Sequence, residues 1–526
     1  MNPSCGIRLL FPSASGNTGL IISLAILILA CGASSLTALI NTSLTSGSLP
    51  NEFKTANVAP LLKPGKTDTR LPANYRGISL LCIVSKVLEF FVHQQLAAYL
   101  DERGVFSEMQ FGFRKGRSCT DLLLSTTDDW LLAMDAKKTT AAVFIDLSKA
   151  FDNVVHQELL LTLQRYGVGG VALAWMYDYL KDRQQRIVVY PDTSGPIHCM
   201  KGVPQGSVLG PLLFNTYVAD LPTIAEENGS LLPSFADDMT LYCSNSSAVE
   251  ACKTVSATLD QLADALSARG LSMNMEKTVS MLFLPRSLRQ QKLGTSPDVL
   301  CRGSPVHRVT STRLLGVLVD DSLSWSAHVE HVCKKVGWKI GALRRSFRQL
   351  SPDARRLYFL SVIQPDLEYA ACVTVPTMTN HLRDRLLAVW QKSVRCIAGV
   401  KWHDEVPPLL DKLRLTHLKH RWLLQTAINI RRCHMGCAPE PLCCKLKRTV
   451  HPYATRGNNH SYRPFVSSTL YGSMSFSNRA PLLRNTLNTN VRNSSSLPEF
   501  KSKLLSQLSS HDSSQILQLA FSNTLL

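Results

Sequence analysis

The sequence predicts an α+β protein in which short strands alternate with amphipathic helices, followed by a long helical region. Three observations carry that reading. Short apolar, β-prone runs meet carboxylates: Ala141 to Ile145 runs into Asp146, and LLPSFADDMTLYC (231–243) sets Asp237 beside Asp238. Stretches of helical periodicity at 81–103, 119–136 and 247–269 separate such runs. From about residue 325 to 432 the pattern is helical and basic.

In chain order, residues 48–80 read as extended segments and turns, and the helix of 81–103 stops at Gly104. A basic loop, FGFRKGRS (111–118), leads into the helix at 119–136. The unbroken apolar run 141–145 is that of a strand buried on both faces. Helices follow to about 182, RQQRIVVY (183–190) is a strand, and Gly195-Pro196 a turn. GVPQGSVLGPLLF (202–214) starts as a Gly/Pro-punctuated loop and becomes helical. The Asp-Asp stretch reads strand, turn, strand, and the helix of 247–269 with LSMNMEKTVSMLFL completes this half. Residues 433–526, rich in Ser, Asn, Arg and Pro, carry the weakest pattern. No internal repeat is visible.

The 526 residues suit two to four domains, and 45% hydrophobic content excludes a disordered chain. With 57 Lys+Arg against 39 Asp+Glu, the net charge of +18 points to a polyanionic partner, nucleic acid before membrane. Fifteen cysteines without a regular framework read as reduced thiols of an intracellular protein. The Cys/His cluster CHMGCAPEPLCC (433–444) fits no standard zinc spacing. Leu20 to Ala30 is an uncharged apolar run, too short to span a bilayer and weakly flanked by charge for a signal peptide; it is expected as a buried helix, with no stable membrane association.

Adjacent carboxylates in apolar surroundings repel each other and are costly to bury. If the strands bearing Asp146 and Asp237–Asp238 share one sheet, three carboxylates converge, and hard cations would offset their repulsion. Mg²⁺ takes oxygen ligands and is completed by substrate phosphates. Two such ions about 3.5–4 Å apart serve phosphoryl transfer. On a chain of charge +18 this chemistry suits a nucleic-acid polymerase or a nuclease.

FADD (235–238), FIDLSKAFDNVVH (144–156), GVPQGSVLGPLLF (202–214), NMEKT (274–278), LLGVLVD (314–320), NYRGISLLCIVSKVLE (74–89) and QFGFRKGRS (110–118) form an ordered set of boxes. Together they resemble the reverse transcriptase of jockey-like non-LTR (LINE-type) retrotransposons. The resemblance implies a right-hand polymerase fold with an antiparallel palm sheet: an N-terminal segment at 1–35, fingers and palm over 36–320, a helical thumb over 321–432 and a basic tail at 433–526. It implies an RNA-directed DNA polymerase acting on an RNA template, a DNA primer and dNTPs with two Mg²⁺ ions, Mn²⁺ being the alternative.

Residue by residue, the resemblance makes Asp146, Asp237 and Asp238 the metal-binding catalytic aspartates. Phe151 falls where an aromatic ring would clash with a ribose 2′-OH; the alternative is plain core. Gln205 and Gly206 lie in the box that meets the incoming nucleotide and template. Arg76 and Lys63 match positions that hold triphosphate, with Lys66 the alternative lysine. Lys277 resembles the lysine that protonates pyrophosphate. Arg114, Lys115 and Arg117 form a loop suited to template phosphates or to plain solvation.

Two departures stand out: Gly77 replaces the proline of the finger box, which is expected to loosen a turn there, and Arg484 stands where the pattern has tryptophan. The boxes start by residue 50, leaving no room for an endonuclease domain, so a truncated product is expected. The rival reading is an inactive retroelement relic that binds RNA; a membrane-anchored product rests on 20–30 alone.

Overall fold

The computed structural model describes residues 33–63, 65–285, 288–289, 297–447, 462–509 and 516–517. The apolar run at 20–30 lies outside them. Among the described residues no helix is long and apolar enough to cross a membrane. The chain forms two compact units, one of residues up to Arg103 with Val154–Leu213, the other of Gly104–Asn153 with Phe214 onward.

The first unit is built on a mixed sheet. The strand Thr55–Leu62 runs antiparallel to Tyr75–Leu80, with Asn57 opposite Leu80, and parallel to Gln184–Val189, with Thr55 opposite Gln184. Helix Ala33–Ser46 packs on Gly170–Leu180, where the Trp175 indole donates to Ser43 Oγ (3.0 Å). Gly77 proves to lie inside the strand Tyr75–Leu80, opposite Pro60, rather than in a turn. A Cβ at 77 would meet Val58 Cγ1 at 2.9 Å, so the glycine makes room for a packed valine instead of loosening a loop.

The second unit holds a four-stranded antiparallel sheet. Its strands are β1 (Thr139–Ile145), β2 (Ser234–Phe235), β3 (Asp238–Asn245) and β4 (Val279–Phe283), in the order β2–β3–β1–β4. As the central strand, β1 is buried at every position, which is why its sequence is apolar without alternation. Two helices cover the sheet, α1 (Cys119–Asp135) and α2 (Ala248–Ala268). Trp130 of α1 stacks on Phe283 (4.2 Å between centroids) and meets Phe144 and Tyr242 edge-on, all on one face. On the other face Cys243 lies close to Thr254 of α2. Burying each large side chain of this layer contributes about 1.5–3 kcal/mol.

A hairpin of Ser311–Leu314 and Val317–Asp320 turns on Leu315 and Gly316, both at positive φ as a I′ turn requires. The helical region then follows as expected, with α3 (Ser326–Arg345), α4 (Asn380–Ala398) and α5 (Leu418–His434) its longest members. The described residues of 433–526 differ from a plain tail. They supply α6 (Phe476–Thr486) and α7 (Leu497–Ser509), whose Phe476, Leu483, Phe500 and Leu504 join the same buried cluster as Trp130 and Phe283. The spacing Leu497, Phe500, Leu504, Leu508 is helical, but serines and lysines between them dilute it.

Candidate active site

β2 and β3 are joined by a two-residue turn, Ala236–Asp237, with Phe235 opposite Asp238. Ala236 sits at φ +58°, which a non-glycine residue adopts only when its surroundings enforce it. The enforcing group is the QFGF segment of 110–113. Gln110 Oε1 accepts from the Ala236 N–H (3.1 Å) and the Gly112 N–H (2.9 Å). Phe111 N–H donates to Ser234 O, and Ser234 N–H to Met109 O, both at 2.8 Å. Gly112 must be glycine here: a Cβ would lie 2.4 Å from Ala236 N. Asn215 Nδ2 donates to Gly112 O (2.7 Å) and fixes the segment from behind. Sequence reasoning assigned no role to Gln110 or Gly112; an amide and a glycine two positions apart in that box were the available signal.

β1 pairs with β3 through Ile145 opposite Met239, so the next step of the ladder sets Asp146 across from Asp238, with Asp237 beside it in the turn. The box at 274–278 clasps Asp146 from both sides. Thr278 Oγ1 accepts from Asp146 N–H (3.2 Å), and Asn274 N–H donates to Asp146 O (2.7 Å). This turn brings Lys277 Nζ to 3.3 Å from Asp146 Oδ2. The lysine side chain is 63% exposed and the aspartate 40%, so the pair adds little stability and can open readily. Thr278, fully buried, was not singled out from the sequence.

Phe151 follows Asp146 on the same connection and stacks on the buried Phe214, ring centroids 4.8 Å apart. It stays half-buried, with one face packed. The basic loop is less available than its sequence suggests. Arg114 Nη1 donates to Ser107 O (2.8 Å), and its guanidinium lies 5.4 Å from the Phe106 ring centre. Arg117 pairs with Glu108 (2.5 Å) and also donates to Glu108 O (2.6 Å). Both arginines clamp the loop, and Lys115 is exposed.

Lys63, Arg76, Gln205 and Gly206 belong to the first unit. Lys63 Nζ donates to Ala73 O (2.8 Å), whereas Arg76 and Lys66 are exposed. Ser79 N–H donates to Gln205 O (2.7 Å). Gly206 has φ +110°, and a Cβ there would meet Ser79 O at 2.8 Å, so a close approach within this unit already requires glycine. Beyond it the buried Glu89 accepts from Val208 N–H (2.7 Å) and Leu209 N–H (3.3 Å). Burial pushes the Glu89 carboxyl up, and the two N–H groups hold it back down.

The aspartates offer carboxylate oxygens, the donor type that hard divalent cations take. Their side chains do not close round a common point: among the described residues no three His, Cys, Asp or Glu side chains are grouped to hold a metal ion. Residues 62–319, which contain every element of this centre, match the family described as reverse transcriptase (RNA-dependent DNA polymerase). The chain carries a reverse transcriptase domain. Reverse transcriptases use divalent metal ions, in keeping with the donor chemistry.

The reverse transcriptase region is similar to RNA-directed DNA polymerases of non-LTR retrotransposons, and the jockey-like resemblance holds. In Drosophila melanogaster the probable polymerase of transposon X-element is 28% identical over 371 residues, 70% of this chain and 40% of that protein. That of transposon BS is 31% identical over 369 residues, covering 67% and 39%. The polymerase of mobile element jockey is 27% identical over 422 residues, covering 77% and 45%. The chain thus spans about two fifths of the length of the relatives it matches. Among solved structures it is similar to apo telomerase from Candida tropicalis, with TM-score 0.38 and 12% identity over 73% of this chain and 74% of that one.

Proposed function

We propose that this chain is an RNA-directed DNA polymerase that adds deoxynucleotides to a primer 3′-OH on an RNA template. The observation that supports the reading is the strand register, Ile145 opposite Met239, whose continuation would bring Asp146 towards Asp238 and Asp237, inside the region matching reverse transcriptases. Asp146, Asp237 and Asp238 would hold two Mg²⁺ ions, or Mn²⁺ in their place. Such ions activate the attacking hydroxyl and stabilise the leaving oxygen.

The chain's own residues do the rest. Thr278 and Asn274 hold the Asp146 backbone, and Lys277 stands within reach to give a proton to the leaving pyrophosphate. The Phe151 ring, braced by Phe214, excludes a 2′-OH from the sugar position. Arg76 takes the triphosphate bidentately, with Lys63 or Lys66 as its companion. Gln205 and Gly206 line the nascent base pair, and in the basic loop Lys115 is left to meet template phosphates. The N-terminal segment 1–35, the finger-and-palm region 36–320 and the thumb-like region 321–432 follow this same reading.

Primer extension on a homopolymer RNA, wild type beside Asp237→Ala, is the test. The variant is expected to lose about 1,000-fold or more in rate, several kcal/mol of transition-state stabilisation, while RNA binding is retained. Near wild-type extension by Asp237→Ala sinks the mechanism. RNA binding without extension by the wild-type chain would instead favour an inactive relic.

A further inference from the structure

Several partly buried cations of this fold are set against a carboxylate. Arg432 meets Asp121 (2.7 Å), Lys445 meets Asp128 (3.3 Å) and Arg421 meets Glu368 (2.8 Å). In one cluster three arginines gather without such a partner among the described residues. Arg431 of α5 is 8% exposed and Arg484 of α6 is 3% exposed, and with the half-buried Arg492 they lie within electrostatic reach of one another. Arg431 Nη1 donates to Arg492 O (3.0 Å) and Nη2 to Ser494 O. Arg484 Nη2 reaches the His434 ring (3.2 Å), and its guanidinium lies 5.3 Å from the Tyr462 ring centre. Arg492 Nη2 donates to Thr489 Oγ1 (3.2 Å).

The Nε–H of all three arginines is buried without a hydrogen-bond partner among the described residues. None of the three is ion-paired to an Asp or Glu among those residues. Burial, reinforced by Arg431 and Arg492, pushes the Arg484 guanidinium below its ordinary value. The neighbouring sequence offers little relief. Residues 448–461 contain no acid, and 462–509 contain one, Glu499, which pairs with Lys503 (2.6 Å). Burying unopposed cations side by side is costly, and so is leaving their donors unmet. An oxoanion meets both needs, since guanidinium groups match phosphate in charge and in donor geometry.

We propose that Arg431, Arg484 and Arg492 bind a phosphate group at a site separate from the three aspartates. Arg492, the least buried of the three, is the edge from which the anion enters. The phosphate is either free or part of a nucleic-acid backbone; the recognition chemistry is the same. The departure from tryptophan at Arg484 then acquires a function. This inference goes beyond the polymerase reading and does not depend on it.

Thermal unfolding of the full chain tests it without primer, template strand or dNTPs, so failure here leaves the extension assay untouched. Inorganic phosphate is titrated at constant ionic strength with KCl as balance, and a short single-stranded oligonucleotide is titrated separately. At about a hundredfold excess over Kd, phosphate should raise the wild-type midpoint by about 3 °C. Arg484→Trp and Arg492→Met should each abolish the rise, the second serving if the first does not fold. An oligonucleotide that also raises the midpoint and competes with phosphate identifies a backbone phosphate; a rise with inorganic phosphate alone identifies the free ion. Equal rises in wild type and both variants, or no rise with either probe, overturn the proposal.

Discussion

Gly112 shows how one absent side chain sets the geometry of the candidate site. Its Cβ position is occupied by the backbone of the turn that carries Asp237, with Ala236 N at 2.4 Å. Gly112→Ala therefore cannot be absorbed by a rotamer change; the turn itself must move. A displacement of about 1 Å at a reacting group costs about 100-fold in rate, so extension should fall by that order while RNA binding changes little. Unchanged single-nucleotide incorporation would mean the turn tolerates the shift. Phe151 makes a different kind of claim. Its ring is held at 4.8 Å from Phe214, so Phe151→Val opens space at the proposed sugar position without emptying the core. Ribonucleotide incorporation relative to deoxynucleotide should rise at least about tenfold, the effect of about 1.4 kcal/mol of relieved clash. Equal ratios in wild type and variant would return Phe151 to plain core.

At the scale of elements, α1 is the link between the sheet and the C-terminal segments. Its four acids each hold one of them. Asp121 pairs with Arg432 (2.7 Å), and Asp128 accepts from Ser477 N–H (3.1 Å) and Oγ–H (2.6 Å). Asp129 accepts from Tyr242 of β3 (2.7 Å) and pairs with Lys445, and Asp135 accepts from Ser468 N–H (3.1 Å) and Thr469 N–H (2.6 Å). Lys445→Met leaves Asp128 and Asp129 without their cation, one of them fully buried, and should destabilise this unit by about 3–5 kcal/mol in urea unfolding. Adding Asp128→Asn should recover part of the loss; a loss below about 1 kcal/mol in the single variant would show the ammonium to be dispensable. None of this is legible from the sequence, because each acid meets its partner more than 100 residues away. What is legible is local. The run Ala141 to Ile145 announces a central strand, and the helices at 119, 248 and 418 announce themselves by apolar spacing. The aspartates are legible because charge inside apolar strands demands a reason. The clamping of Arg114 and Arg117 on Glu108 is not, since basic loops of either kind have the same composition.

For the whole molecule, two histidines tie stability to pH. Burial holds His328 and His417 at about 4, against about 6.5 in an unfolded chain. Neighbouring charge acts in the same direction: His331 and Arg313 oppose a proton on His328, and His420 and Lys419 oppose one on His417. A folded-state value below the unfolded one means that the unfolded chain takes up the proton first as pH falls. The stability these groups contribute is therefore complete above about pH 6.5 and is lost between about 6.5 and 4. For His328 the loss from pH 7 to pH 5 is about 2 kcal/mol; for the more exposed His417 solvent screening makes it smaller. Structure adds to the effect, because His328 Nδ1 accepts from Leu318 N–H (3.5 Å) and His417 Nδ1 from Lys419 N–H (3.2 Å), bonds that the imidazolium cannot accept. The carboxyls of Glu89 and Asp321, raised by burial, act in the opposite sense, so the comparison that isolates the histidines is between wild type and His328→Gln/His417→Gln. The double variant should be less stable at pH 7 yet lose less between pH 7 and 5, narrowing the gap to wild type. Parallel pH profiles, measured by urea unfolding at pH 7, 6 and 5, would assign the acid sensitivity to other groups.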